Sequence, residues 1–324
     1  MLIPVLLFVL GLVLLIKGGD WFVDGATGIA HRFHIPELLI GATIVSIGTT
    51  LPEVMVSATS ALSGHGEIAY GNAIGSIICN TSLIAALTVA VRPPKVAGKA
   101  LIVPVLFFFG AAALYSGVAY TSGQFSRGVG LVLLAVFVAF MLYNVLQVKR
   151  HPEQAAEAEG AAEGETASKP MADVIKLVLG AAAIAWGADL LVDNGTLIAT
   201  ALGVPESVIA LTFVALGTSL PELVTAVTAL AKGHGALSLG NIIGANLFNL
   251  VLVSGVSVVL SPFAVPASKL VAGMNASLLV DIPVMLFVMA FLTLPAIIRG
   301  KLQRWQGVTL MAVYFTYIAF QFIG

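Results

Sequence analysis

Residues 48–53 read Gly-Thr-Thr-Leu-Pro-Glu, and residues 217–222 read Gly-Thr-Ser-Leu-Pro-Glu. Each hexapeptide sits near the middle of a long apolar run, so each places a carboxylate, a proline and two hydroxyls where water is scarce. An ionised carboxylate at such a depth costs about 3 kcal/mol or more unless it is compensated, and intramembrane acids are functional by default. Pro52 and Pro221 each lack an N–H, so the carbonyls of Gly48 and Gly217 are expected to lose their intrahelical donor. Bare carbonyls at membrane depth are tolerated where they line a water-filled cavity or bind an ion. Glu53 and Glu222, with the hydroxyls of Thr49, Thr50, Thr218 and Ser219, therefore form an all-oxygen, two-carboxylate cage suited to hard cations such as Ca2+ and Na+. Two ionised glutamates carry a charge that one Ca2+ or two Na+ would neutralise. An empty cage leaves both uncompensated, which is a physical reason for obligatory exchange of one cation for another.

The chain around these motifs demands a lipid environment. Of its 324 residues 59% are hydrophobic and 10% charged, with a mean hydropathy of +1.05; soluble domains carry about 25% charged residues. Apolar runs of roughly 20 residues recur along nearly the whole length, each long enough for a ~30 Å hydrocarbon core. They are continuous rather than alternating, which excludes a β-barrel. The N-terminal stretch lacks a basic region and an Ala-x-Ala site, so it reads as a first membrane helix rather than a signal peptide. The lone Cys79 cannot form an intrachain disulfide. A net charge of −1 without a basic cluster gives no indication of nucleic-acid binding. No zinc-like Cys/His spacing, nucleophile elbow or cofactor motif is present.

Polar breaks divide the sequence into ten expected helices, at 2–30, 36–62, 70–91, 98–120, 127–149, 171–200, 205–231, 239–260, 270–297 and 303–323. Between the fifth and sixth, His151 to Pro170 is rich in Ala, Gly and Glu and reads as a flexible acidic linker. Placing the N-terminus outside puts twelve of the fifteen Lys and Arg residues at cytoplasmic loops or helix ends, as membrane topology favours. The expected location is the plasma membrane, multi-pass, with both termini outside.

A shift of 169 residues superimposes one half of the chain on the other without a gap. Gly11 meets Gly180, Asp20 meets Asp189, Asp24 meets Asp193, and the two hexapeptides coincide. Gly64-His65-Gly66 meets Gly233-His234-Gly235, and Asn80 meets Asn249. Five helices per half is an odd number, so the second half enters from the opposite side. The expected fold is thus an all-α membrane protein of ten transmembrane helices in two inverted five-helix repeats. The halves are residues 1–149 (motif 39–80) and 171–324 (motif 208–249), joined by a cytoplasmic linker at 150–170. Inverted repeats meeting at a midplane site are a design of secondary transporters. The third and eighth helices add Gly71-Asn72-Ala73-Ile74-Gly75-Ser76 with Asn80, and Gly240-Asn241-Ile242-Ile243-Gly244-Ala245 with Asn249. Asn72, Ser76 and Asn80 fall on one helix face at i, i+4, i+8. Neutral amide oxygens are adequate ligands for Ca2+ or Na+.

These paired motifs resemble those of the cation/calcium exchanger superfamily, and the resemblance extends to its prokaryotic sodium/calcium exchangers and to essentially the whole chain. It implies that Glu53 and Glu222 bind the transported ions and that Thr49, Thr50, Thr218 and Ser219 are ligands beside them. It further implies that Asn80 and Asn249 complete the central site and that Ser76 matches a family serine. Asn72 and Asn241 join the candidate ligand set. The family moves Ca2+ against several Na+ by sliding its first and sixth helices over a stationary core. Two positions depart from the pattern. Ala245 stands where a serine is common, removing one hydroxyl ligand, and Asn249 is not the acid of the potassium-dependent branch. Ser76 and Ala245 are not the glutamates usual in the proton-coupled branch, so sodium coupling is expected and proton-coupled antiport of Ca2+ is the alternative.

Other polar residues have plainer readings. Asp20 with Asp24, and Asp189 with Asp193, are i, i+4 pairs near helix ends, and His65 and His234 mark short turns. Asp281 lies in the ninth helix without a repeat partner. A channel would usually need subunit symmetry, and an intramembrane enzyme would need a nucleophile–base pair that is not apparent. No cofactor is expected; the partners are Ca2+ and Na+ as transported ions, and the bilayer, with a monomer sufficient for the mechanism.

Overall fold

The computed structural model describes residues 2–33, 35–94, 98–150, 170–202, 217–267, 269–271 and 273–322. Its helices are α1 (Leu2–Arg32), α2 (Glu37–Leu62), α3 (Gly66–Val91), α4 (Gly98–Thr121), α5 (Arg127–Arg150), α6 (Pro170–Ala201), α7 (Leu220–Ala231), α8 (Gly235–Leu260), α9 (Ser277–Arg299) and α10 (Arg304–Phe322). Among the described residues, eight of these, all but α7 and α10, are apolar and long enough to cross a membrane. The chain is a multi-pass membrane protein. The expected linker and the first part of the expected seventh helix, with Pro205 and Glu206, lie outside the described residues.

Burial sorts the helices. α2, α3 and α8 are mostly interior, whereas α1, α5 and α6 turn most of their surface outward. The outward faces carry Leu2, Ile3, Leu6, Ile16, Leu131, Val138, Val178 and Leu179, the apolar coat that lipid contact requires. Among the described residues, π-helical turns occur at Gly41–Val45 in α2, Asn80–Ala85 in α3, Asn249–Val253 in α8 and Ser277–Asp281 at the start of α9. Such turns recur at functional sites, and two of these begin at the candidate ligands Asn80 and Asn249.

Two close helix pairings organise the molecule. α1 and α6 run antiparallel with glycines seven residues apart in each. A Cβ on Gly11 would fall 2.8 Å from the Gly187 carbonyl, and one on Gly180 would fall 2.8 Å from the Gly18 carbonyl. Backbones this close associate through van der Waals contact, which in lipid replaces the hydrophobic effect. Beyond Gly25, Arg32 of α1 pairs with Asp173 of α6 at 3.4 Å. The second pairing joins α2 to α8. Gly240 packs on the Leu38 carbonyl, and a Cβ on Gly244 would lie 2.6 Å from Ala42 Cα.

Short antiparallel strands close one end. β1 (Gln124–Phe125), after α4, pairs with β2 (Phe263–Ala264), after α8, and β3 (Leu270–Val271) pairs with β4 (Met274–Asn275). This hairpin corrects the expectation of a helix from residue 270. Gly273 turns the chain at φ +80°, and Asn275 Oδ1 accepts the Ser277 N–H at 2.8 Å, so α9 begins only at Ser277. Conversely, α3 and α8 begin at Gly66 and Gly235, earlier than expected, because the turns are completed by Gly64 (φ +83°) and Gly233 (φ +91°).

At the other end, Lys232 beyond α7 reaches Asp24 Oδ1 at 2.6 Å and Asp20 Oδ1 at 3.2 Å on α1. Nearby, His234 Nδ1 lies 2.7 Å from Glu37 Oε1. Partial burial works against the Lys232 ammonium, but the hydrogen bonds and charges of Asp24 and Asp20 outweigh it and hold its pKa above the ordinary lysine value. A group raised on folding stabilises at every pH below its unfolded value, so this tie is fully present at neutral pH and fades only as the pH climbs through the folded value. The three groups are part-exposed, so Lys232→Gln is expected to destabilise by less than about 1 kcal/mol, measured as a small fall in Tm.

Candidate ion-binding site

The first motif lies within α2, whose residues Ser46 to Leu62 continue as regular helix through Pro52. There the Gly48 carbonyl has lost its i+4 donor, as expected. The second motif differs. Gly217 to Ser219 form a turn, α7 starts at Leu220, and the Gly217 carbonyl accepts the Leu220 N–H at 3.2 Å. Pro221 thus occupies the first turn of a helix, where a missing N–H removes no bond. The expected loss of the i+4 donor thus holds at Gly48, while the Gly217 carbonyl is bonded within the turn.

Glu53 and Glu222 are both fully buried, at 0% exposure. All four carboxylate oxygens lack a hydrogen-bond partner among the described residues. Buried charges in folded proteins are paired or coordinate metals, so two fully buried carboxylates without protein partners are candidates for cation ligands. Several neutral candidate ligands are buried as well. The Thr50 hydroxyl is buried and unpartnered, Ser219 and Ser76 are buried, and both polar atoms of the Asn80 amide are unpartnered. Asn249 donates through Nδ2 to the Ala245 carbonyl at 3.1 Å and leaves Oδ1 unpartnered.

The remaining candidates are engaged in a reciprocal pattern. Thr49 Oγ1 donates to Asn241 Oδ1 at 3.2 Å, and Thr218 Oγ1 donates to Asn72 Oδ1 at 3.4 Å. These two bonds are related by the same 169-residue shift. Asn72 Nδ2 also donates to Ser57 Oγ at 2.8 Å and to the Glu53 carbonyl at 3.3 Å.

A small recess adjoins the motifs. Phe22 of α1 and Ala181, Ile184 and Ala185 of α6 face Gly48, Thr49, Pro52 and Pro221 across it. The paired glycine helices therefore abut the two proline-glutamate turns.

Several buried polar groups escape a comparison of the halves. Ser46 donates to the Gly41 carbonyl at 2.7 Å and lies within 2.9 Å of the Asn241 carbonyl. Asn246 Nδ2 donates to Thr81 at 2.7 Å. Under the shift, Ser46 corresponds to Ala215, Ser57 to Ala226 and Asn246 to Ile77, so only burial, not repetition, identifies them. The other polar expectations fall outside the cage. Asp20 and Asp24 bind Lys232, and Asp281 accepts hydrogen bonds from Tyr317 at 3.1 Å and Gln321 at 3.0 Å.

A helical membrane fold carrying two buried glutamates on a repeated Gly-Thr-x-Leu-Pro-Glu motif defines a class of cation-transport proteins. The chain belongs to the sodium/calcium exchanger protein family, whose model matches residues 3–146 and 173–323. It is 30% identical to the sodium/calcium exchanger MaX1 of Methanosarcina acetivorans, with 98% of each chain covered. It is 33% identical to the inner membrane protein YrbG of Escherichia coli, covering 81% of each. Among solved structures it is similar to the sodium-calcium exchanger NCX_Mj, with a TM-score of 0.80, 32% identity and 98% of each chain covered.

Proposed function

We propose that the protein is a secondary antiporter that exchanges Ca2+ for Na+ across the plasma membrane by alternating access. The observation that carries this reading is the pair of unpaired, fully buried carboxylates of Glu53 and Glu222. Thr49, Thr50, Thr218 and Ser219, with Asn80, Asn249 and Ser76, would supply hydroxyl and amide oxygens around them, and the bare Gly48 carbonyl one more. Ca2+ accepts six to eight oxygen ligands in flexible geometry, which such a mixed cage can offer. A cage filled by one Ca2+, or by Na+ of equal charge, is near neutral and cheap to move past lipid; an empty one is not.

The architecture supporting the reading is ten membrane crossings in two inverted five-helix repeats, 1–149 and 171–324, with the 150–170 linker cytoplasmic and both termini outside. The pairing of β1 with β2 and the tie of Lys232 to α1 fit this topology, because they put the expected outer and inner loops at opposite ends. In such a layout the α1–α6 pair slides as one body against α2, α3, α7 and α8, exposing the cage to each side in turn through the recess at Phe22 and Pro52.

Radiolabelled Ca2+ uptake into Na+-loaded proteoliposomes tests the reading. Uptake is expected to require the outward Na+ gradient. Uptake driven by a pH gradient instead would assign the protein to proton-coupled antiport, and gradient-independent flux would reject antiport altogether.

A further inference from the structure

We propose that Asn241, and by the repeat Asn72, is a positioning residue that holds the motif threonine hydroxyl with its proton turned away from the ion cage. This rests on the cation-exchange reading above and adds the function of these two amides.

A threonine oxygen can coordinate a cation only if its own proton points elsewhere. Thr49 Oγ1 has two acceptors within hydrogen-bond distance. The Ser46 carbonyl, at 3.5 Å, is at the limit of a hydrogen bond, whereas Asn241 Oδ1 lies at 3.2 Å. The competing acceptor in the cage would be the Glu222 carboxylate, whose oxygens have no hydrogen-bond partner among the described residues. Donation to Glu222 would be a charge-assisted bond and would occupy the oxygen that a cation needs. Donation to Asn241 leaves both the Thr49 lone pairs and the Glu222 oxygens available. Ser46 Oγ also lies 3.3 Å from Asn241 Oδ1, but its proton has closer acceptors in the carbonyls of Gly41, at 2.7 Å, and Asn241, at 2.9 Å.

The mirrored site fixes which end of the amide does this. Asn72 Nδ2 lies 3.3 Å from the Glu53 carbonyl, which can only accept. The nitrogen must therefore face α2, and Oδ1 is left facing Thr218. On both sides the amide comes from the glycine-rich helix and the hydroxyl from the glutamate motif of the opposite half, so each half orients a ligand belonging to the other.

A double-mutant cycle on the full-length protein in proteoliposomes tests the assignment. Thr49→Val and Asn241→Leu are each expected to raise the KM for Ca2+ about tenfold, the scale of a hydrogen bond to a charged group. The double variant should be no worse than Thr49→Val, because Asn241 then has no proton to hold. In an Asn241→Asp background, which keeps the acceptor oxygen, Thr49→Val should retain its full effect. Losses that multiply in the double variant would make Asn241 an independent ligand and overturn the proposal. An Asn241→Leu variant with lowered Tm and unchanged KM would overturn it in favour of helix packing. Should Asn241→Leu fail to fold, Asn241→Ala carries the same expectations. A wild type without Na+-dependent Ca2+ uptake would overturn the exchange reading itself, whereas multiplying losses beside a normal wild type overturn only the positioning role.

Discussion

Glu53→Gln and Glu222→Gln are each expected to lower Na+-dependent Ca2+ uptake by at least about a hundredfold, and to raise rather than lower the Tm measured in chelator. The first effect follows from charge. With one carboxylate neutralised, Ca2+ leaves an uncompensated positive charge in a cage from which water is excluded. One unit charge about 4 Å away at an effective dielectric near 20 contributes about 4 kcal/mol, so a hundredfold is a conservative figure. The second effect separates ligation from packing. Removing one partner of a buried ion pair destabilises by about 3–5 kcal/mol, because the other charge is stranded. Here neither glutamate has a hydrogen-bond partner among the described residues, and both are fully buried. Replacing either by an amide of the same shape removes the cost of burying an acid in the ion-free protein. Full uptake in either variant would remove that carboxylate from the site, and a Tm that falls by several degrees in chelator would assign it to structure.

The second large effect concerns the contact that holds the two motif halves together. A methyl group on Gly240 would run into the Leu38 backbone, with Leu38 C at 2.9 Å and Cα at 3.0 Å, and one on Gly244 would meet Ala42 Cα at 2.6 Å. Both collisions are with backbone, which cannot rotate aside, so α2 and α8 must separate. Gly240→Ala with Gly244→Ala is expected to cost more than about 3 kcal/mol and to abolish uptake. The measurements are Tm, monodispersity on size exclusion, and transport. Gly110→Ala in α4, whose Cβ meets nothing within 4 Å among the described residues, is the matched control and should be neutral or mildly stabilising. A Gly240/Gly244 double variant that is as stable as this control would mean that α2 and α8 do not approach as described.

The paired hexapeptides made the membrane fold and the central carboxylates legible, because a buried acid in an apolar run is costly enough to stand out in any window. Duplication then pointed to Asn72, Asn80, Asn241 and Asn249 without any knowledge of contacts. What stayed hidden was whatever the two halves do not share. Pro52 and Pro221 lie in near-identical hexapeptides, yet one sits within a continuous α2 and the other in the first turn of α7, because a proline is compatible with either position. Ser46 and Asn246 face apolar residues in the opposite repeat alignment and so left no periodic trace. The segment that forms β3 and β4 reads as helix because Leu270, Val271, Ala272 and Met274 satisfy an apolar pattern of either kind, and only Gly273 and Asn275 mark the turn. The division of the asparagines into amides with unpartnered oxygens and amides bonded to threonine depends on distances between helices and has no sequence signature.

The antiparallel glycine seam between α1 and α6 also constrains how the protein is made. Gly11 and Gly18 enter the bilayer with the first helix, whereas their partners Gly187 and Gly180 lie in the other half of the chain, 169 residues beyond the corresponding positions. At about 5–20 residues per second, a nascent α1 waits on the order of 10–30 s before its partner leaves the ribosome. During that interval lipid tails must fill the glycine notches, and they are displaced only when α6 arrives. The first half of the chain is therefore synthesised as a bundle whose leading helix is docked to membrane rather than to protein, and assembly is completed by a late, long-range event rather than helix by helix.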